Sequence, residues 1–352
     1  MEPTSAPVGD IAPAHRFDVA RLEAYLQPRI ADFGDGLVVR QFQGGASNPT
    51  FLLTTRDAGG SGRYVLRKKP PGQLLASAHQ VDREYRVMKA LEGSGVPVPH
   101  MRWLCDDDEV IGTAFYVMDY LQGRVFRDAT LPGLTPVERA SVYDQLNATL
   151  AKLHLVDYQA AGLGDYGRAG AYFERQAARW IRQYRGAETD PIPAMEALIE
   201  ALPAMIPQDD SVSIAHGDYR LENVMFHPTE PRLIAVLDWE LSTIGHPLAD
   251  IAYNAFMWRS HSPTWGCLDG VDFAASGIPT EAAYVDAYRR RTGRGEIEHW
   301  NFYLAFSIFR LASISQGVYR RTLNGVLASE RDAINGAPAL AAQALEILRG
   351  PG

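Results

Sequence analysis

The residues best suited to chemistry in this chain fall between Ile214 and Glu240. His216-Gly217-Asp218 is followed five residues later by Asn223, and Asp238 stands fifteen residues beyond that. Val224–Phe226 and Ile234–Leu237 are short apolar runs on either side of a His-Pro-Thr-Glu-Pro-Arg turn, the pattern of a β-hairpin. Pairing them in the register that sets Asn223 beside Asp238 brings an amide oxygen next to a carboxylate. Such hard oxygen donors suit Mg²⁺, with the phosphates of a substrate completing its shell. Asp218, a short loop away from Asn223, is of the right type to accept a proton from an attacking hydroxyl. His216, His227 and His246 read as local structure, the last two because each adjoins a proline.

Positioning these groups needs a scaffold, and the rest of the chain supplies one in two parts. Residues 1–15 are rich in Pro and Ala and form an expected loose arm. A short helix follows from Asp18. Strand-like runs at Leu37–Val39, Phe51–Leu53 and Arg63–Arg67, a helix over 78–92, and strands near Met101–Leu104 and Thr113–Tyr120 complete the first 120 residues. They predict a mostly antiparallel sheet carrying one long helix. Beyond Gln122-Gly123 the sequence turns helical. Thr135-Pro136-Val137-Glu138 is a capping box with Pro at the first helical position and predicts a helix over 136–156. Further helices are expected over 170–185, 193–203, 280–292, 297–323 and 337–349, interrupted by one β segment at 212–238.

A glycine pair, Gly44-Gly45, precedes Ser47-Asn48 between two of the predicted strands. Gly lacks a Cβ, so backbone N–H groups there can approach a phosphate, although a plain hairpin turn needs the same residues. In the next strand, alternation puts Val65 and Arg67 on one face, and Lys68 on the other.

Taken together, these segments resemble the aminoglycoside phosphotransferase-like kinases, whose signature is an HGD-x4-N loop with a metal-binding Asp some fifteen residues on. The matching stretches run from about 40 to 255. They include Gly44–Asn48 as a nucleotide-covering loop, Tyr64–Arg67 as a phosphate-contacting strand and Leu150–His154 as the helix ahead of the catalytic loop. Within the family, Asp238–Asp250 looks closest to the kinase-like domain fused to certain acyl-CoA dehydrogenases, which is associated with phosphorylating 4-hydroxyacyl-CoA.

The resemblance implies an α+β, bilobal protein-kinase-like fold. Its nucleotide-binding lobe would span 1–118, its hinge 119–123, and its mainly helical catalytic and substrate lobe 124–352. It implies ATP and Mg²⁺ as cofactors, with Asp218 catalytic and Asn223 and Asp238 as metal ligands. Nucleotide contacts would come from Gly44, Gly45, Ser47, Asn48 and Arg67, and from backbone groups of Asp119 and Leu121 against adenine. Arg67 stands where kinases carry Lys, a real departure at a phosphate contact, and Lys68 or Lys69 could substitute. Glu84 would be its ion-pair partner, or else a solvated helix charge. Asp250 would order the catalytic loop through hydrogen bonds. The C-terminal helix over 297–323, apolar apart from Arg310 and Gln316, would line the acceptor side.

Composition bounds the partners. Hydrophobic residues make up 46%, and 34 Lys and Arg against 42 Asp and Glu leave a net charge of −8. That excess disfavours nucleic acid and polybasic membrane contact. Two cysteines are too few for a disulfide framework, which points to a reducing, cytoplasmic setting. The expected activity is transfer of the ATP γ-phosphoryl group to a hydroxyl of a small molecule, a hydroxyacyl-CoA by resemblance. An aminoglycoside or choline-type kinase and a nucleotide-binding pseudokinase are the alternatives.

Overall fold

The computed structural model describes residues 7–43, 48–57, 60–70, 80–261, 266–325 and 334–350. The chain forms two compact units, one comprising Met1–Phe126, Ala161–Leu163 and Leu221–Ser242, the other Arg127–Ala160, Gly164–Arg220 and Thr243–Gly352.

The first unit is built on six strands: β1 (Val8–Gly9), β2 (Asp35–Phe42), β3 (Thr50–Asp57), β4 (Gly60–Lys68), β5 (Met101–Cys105) and β6 (Phe115–Asp119). They form one sheet in the order β1-β2-β3-β4-β6-β5, every neighbouring pair antiparallel. β1 corrects the loose-arm expectation: Val8 pairs with Phe42 and Gly9 with Gln41, so this part of the arm is an edge strand. The cue is weak because two residues carry no period.

Alternation along β3, β4 and β6 gives the sheet two different faces. Phe51, Leu53, Tyr64, Leu66, Phe115 and Val117 point into an apolar core with Leu22 and Leu26 of α1 (Val19–Leu26). Val65, Arg67 and Tyr116 take the other face, toward α2 (Val81–Leu91).

Helices dominate the second unit: α3 (Pro136–Leu155), α4 (Tyr172–Ala187), α5 (Pro193–Ala204), α6 (Pro247–Ala255), α7 (Phe273–Ser276), α8 (Glu281–Thr292), α9 (Trp300–Leu323) and α10 (Ala337–Arg349). A two-stranded ladder of β7 (Ser213–Ala215) with β10 (Thr243–Gly245) interrupts them. α9 is buried over much of its circumference and packs against α4, α6 and α10, as a helix apolar nearly all round must.

The capping box of α3 is present in full: Thr135 Oγ1 accepts from the Glu138 backbone N–H, and the Thr135 N–H donates to Glu138 Oε2 at 2.8 Å. Thr135→Ala should therefore lower stability by about 1 kcal/mol, read as a fall in Tm with turnover per folded molecule unchanged.

α6 and the four-residue α7 both lie outside the sequence expectation. α6 is the longer of them. Its residues are buried on every side, so no polar face marks a period, and His246 serves as its N-cap by accepting from the Leu248 N–H at 3.2 Å. Pro247 at the first helical position is the signal that was there to be read.

Among the described residues, no helix is long and apolar enough to cross a membrane. Cys105 and Cys267 are both free.

Candidate active site

The hairpin of β8 (Val224–Phe226) and β9 (Leu233–Val236) belongs with the first unit. Arg124 and Phe226 exchange both backbone hydrogen bonds at 2.8 Å, and the Val236 N–H donates to the Pro97 carbonyl at 2.8 Å. The lobe expected over 124–352 is interrupted accordingly. Gly123 makes this packing possible, since a Cβ there would sit 2.4 Å from Met225 Cγ and 2.5 Å from the Phe226 oxygen.

The hairpin register differs by one residue from the expected one. Val224 faces Val236 and Met225 faces Ala235, and a bulge then sets Phe226 against Leu233. Asn223 consequently faces Leu237, whose N–H donates to its carbonyl at 2.8 Å, and Asp238 comes one step later. Bulges are invisible to a pattern of apolar runs.

Asp238 does not continue the strand. Its φ of 61° and ψ of 64° are left-handed, a conformation non-glycine residues adopt at a cost. That turn redirects the side chain, and its carboxylate meets Arg67 at 2.9 Å.

Arg67 is the centre of the first unit's polar cluster. Its guanidinium reaches Glu84 at 3.2 Å, Asp238 at 2.9 Å and Glu240 at 3.4 Å. The expected Arg67–Glu84 pair is thus present, and Glu84, 1% exposed, is no solvated helix charge. Burial pushes the Glu84 carboxyl up to about 7, and the neighbouring Asp238 and Glu240 charges add to that against the opposing pull of Arg67. Tyr116 donates to Glu84 at 3.1 Å and Asn48 at 2.7 Å. Asn48 is therefore a buried brace for Glu84 through its side chain.

Lys68 takes the opposite face, its amine 5.5 Å from the Phe17 ring centroid and 5.9 Å from that of Phe51. Burial lowers its pKa. Of these two cations it is Arg67 that faces Asp238. Gly44, Gly45 and Ser47 lie outside the described residues.

At the end of β6, the Asp119 carboxylate is held by Arg102 at 2.6 Å, and its N–H donates to the His100 carbonyl at 2.9 Å. Leu121 follows in the irregular segment after the strand, half-buried.

Whether a divalent cation suits this cluster can be judged from its donors. Three carboxylates face one guanidinium, an excess of negative charge that Arg67 does not neutralise. Asp238 and Asn223 add the hard oxygens Mg²⁺ prefers. Among the described residues no group of three or more His, Cys, Asp or Glu side chains could hold a metal, so this is no closed protein cage. Mg²⁺ bound through one or two side chains plus phosphate is the chemistry that fits.

Asp218 belongs to the second unit, where two buried side chains of α6 shape its loop. The Asp250 carboxylate accepts from the backbone N–H groups of His216 at 2.6 Å and Gly217 at 2.9 Å. Its Oδ2 also lies 3.3 Å from His154 Nε2, and His154 Nδ1 lies 2.6 Å from the Tyr288 hydroxyl. Burial raises the Asp250 carboxyl, yet these hydrogen bonds and the His154 and His216 charges outweigh it and hold it below its ordinary value. One helical turn on, Tyr253 donates to Asp218 Oδ1. Residues three apart share a helix face, which is how α6 serves both the loop backbone and the Asp218 carboxylate. His216 Nδ1 accepts from the Asp218 N–H at 3.2 Å, a structural role.

Arg220 lies 3.9 Å from the Asp218 carboxylate, and Arg310 of α9 donates to the Gly217 carbonyl. Tyr253, Glu240 and Arg310 all bear on the predicted residues without a motif of their own. Only the polar interruption of an apolar helix marked Arg310.

His246, capping α6, is 1% exposed, and burial pushes its pKa down to about 4. The Asp209 carboxylate, 3.4 Å from its Nε2, opposes that shift and Arg294 adds to it. A depressed pKa contributes stability above the unfolded value of about 6.5 that is lost as pH falls through 4, on the order of 3 kcal/mol. Urea unfolding of the native protein should lose that increment between pH 6.5 and 4, and His246→Asn, which keeps a capping acceptor, should not.

A model of the phosphotransferase enzyme family matches residues 38–300. The chain belongs to that family. It is 46% identical over 341 residues to human acyl-CoA dehydrogenase family member 11, covering 94% of this chain and 43% of that protein. The chain therefore spans less than half the length of this relative. That kinship agrees with the direction in which Asp238–Asp250 points. A crystal structure from Ralstonia eutropha, described as a candidate aminoglycoside phosphotransferase, superimposes with a TM-score of 0.87 at 48% identity, covering 95% of this chain and 99% of that one. A thermostable aminoglycoside phosphotransferase solved with AMP-PNP and hygromycin B matches with a TM-score of 0.58 at 17% identity, covering 94% and 98%, a likeness of fold. The α+β, kinase-like architecture of this phosphotransferase is the one its sequence leads to expect.

Proposed function

We propose that this phosphotransferase moves the γ-phosphoryl group of ATP to a hydroxyl of a small molecule, with a hydroxyacyl-CoA as the acceptor class. The observation that carries the reading is the treatment of Asp218. Its carboxylate is oriented by the Tyr253 hydroxyl, its loop is pinned by buried Asp250, and it keeps 22% of its surface open.

In this reading Asp218 accepts the acceptor's proton as the hydroxyl attacks, and Tyr253 keeps the carboxylate oxygen aimed. Arg67, braced by Glu84, bears on the nucleotide phosphates, while backbone groups of Asp119 and Leu121 meet the base. Asn223 and Asp238 would hold Mg²⁺, which when bound neutralises charge on the phosphates. The five-residue connection from Asp218 to Asn223 ties base to metal ligand along the chain. Asp238 engages Arg67 at 2.9 Å, so the residue that would hold Mg²⁺ and the one that would bear on the phosphates are already side by side.

The hydroxyacyl-CoA acceptor rests on the kinship with acyl-CoA dehydrogenase family members. The test is an acceptor panel with ATP and Mg²⁺: a 4-hydroxyacyl-CoA, choline and an aminoglycoside. Phosphorylation of the CoA thioester alone supports this reading, and preferential phosphorylation of either cation overturns the acceptor assignment. ATP binding with no transfer to any of them favours a pseudokinase, a reading the intact Asp218, Asn223 and Asp238 set oppose.

A further inference from the structure

Within the second unit, several cations beside the Asp218 loop have no acidic counterpart. Arg179 of α4 lies 5.2 Å from the Trp180 ring centroid, and Arg310 of α9 lies 5.6 Å from the same centroid and 5.3 Å from that of Tyr253. Arg310 donates to the carbonyl of Gly217, the residue before Asp218. Arg175, one turn before Arg179, donates to the Gly170 and Arg168 carbonyls. Among the described residues no carboxylate lies within ion-pairing distance of Arg175, Arg179 or Arg310. All three charges bear on the Tyr172 hydroxyl, which burial nonetheless pushes up to about 12. Elsewhere Arg102, Arg185, Arg259 and Arg291 each pair with an Asp or Glu carboxylate.

A second observation points the same way. The Trp180 side chain is 7% exposed, and its indole N–H finds no hydrogen-bond partner among the described residues. The buried Arg310 Nε is likewise unpartnered. Donors are thus in surplus where acceptors are missing. A planar guanidinium stacked on an aromatic face presents its N–H edge outward, the geometry that grips a carboxylate or phosphate.

We infer that Arg179 and Arg310, together with the Trp180 indole N–H, hold an anionic group of the acceptor, so that the site selects an anionic hydroxyl substrate and rejects polycations. The inference rests on the phosphotransfer reading and deepens it. The anion is a carboxylate or a phosphate oxygen; Tyr253 and Arg310, joined at one ring face, set it close to the Asp218 loop.

The test compares three acceptors that share one hydroxyl: 4-hydroxypentanoate, its CoA thioester and its uncharged pantetheine thioester. Hygromycin B serves as a polycationic control. The native protein should phosphorylate one of the two anionic acceptors with kcat/KM about tenfold or more above the pantetheine thioester. Preference for the free acid identifies a carboxylate, and preference for the CoA thioester a phosphate. Arg179→Ala should raise KM for the preferred anion about tenfold or more, with Arg179→Lys partly restoring it and KM for ATP unmoved. Arg179 is exposed, so this variant is expected to fold even if Arg310→Ala, which removes the bond to Gly217, does not. Equal kcat/KM for all three acceptors, or an Arg179→Ala variant that affects all acceptors alike, overturns the inference. Calorimetric binding of the same acceptors to Asp218→Asn separates it from the parent reading. Charge-dependent binding without turnover in the native protein sinks phosphotransfer and upholds the anion site, whereas charge-blind binding sinks the anion site alone.

Discussion

Replacing Asp218 with Asn should lower kcat by about 10²–10⁴-fold, the usual contribution of a positioned acid–base group, while nucleotide affinity stays at the native value. The substitution is suited to this purpose. Asn keeps an oxygen that can accept from Tyr253, and the bonds from the His216 and Gly217 N–H groups to Asp250 that pin the loop are made by backbone the substitution leaves in place. What it removes is the capacity to take up a proton. Steady-state kinetics with fluorescence titration of an ATP analogue measure both quantities. Equal kcat in variant and native protein would show that some other group takes the proton.

The second large effect is expected at Asp238. On the proposed reading, in which Asp238 would hold Mg²⁺ against the transferring phosphoryl group, Asp238→Ala should reduce turnover by about 10²–10³-fold or more. The diagnostic feature is the contrast with and without metal. Arg67 in the native protein is engaged by Asp238 at 2.9 Å as well as by Glu84 and Glu240. Removing Asp238 frees part of that guanidinium, so ATP affinity in EDTA should hold or increase. Affinity for Mg·ATP should fall, and raising Mg²⁺ should fail to restore turnover. A merely structural Asp238 would weaken nucleotide binding equally in both conditions. Titration of the nucleotide with and without Mg²⁺ distinguishes the two.

How far the sequence reached depended on whether a feature is encoded locally. The α3 capping box, the alternation that separates Arg67 from Lys68, and the spacing of Asp218, Asn223 and Asp238 are short-range facts, and each could be read directly. The hairpin itself was legible, but its register was not, because the bulge between Met225 and Phe226 comes from pairing geometry that apolar runs do not record. α6 was hidden by its own burial: a helix covered on all sides has no polar stripe. With it went Tyr253, the hydroxyl that aims Asp218. Glu240 and Arg310 act through contacts 173 and 93 residues away in sequence, distances at which a residue type says nothing of its partner. The strand character of Val8–Gly9 was lost for a similar reason, since its pairing with β2 is its only signature.

The central claim is that Asp218 directs a phosphoryl group from Mg·ATP onto an acceptor hydroxyl. ³¹P NMR of ATP, Mg²⁺ and a 4-hydroxyacyl-CoA tests it most directly, run in parallel with native protein, with Asp218→Asn and with EDTA. The account predicts a phosphomonoester resonance growing as the γ-phosphate signal declines, in the native sample with Mg²⁺ and in neither of the others. Loss of the γ-phosphate only to inorganic phosphate, or a phosphomonoester formed equally by Asp218→Asn, would contradict it.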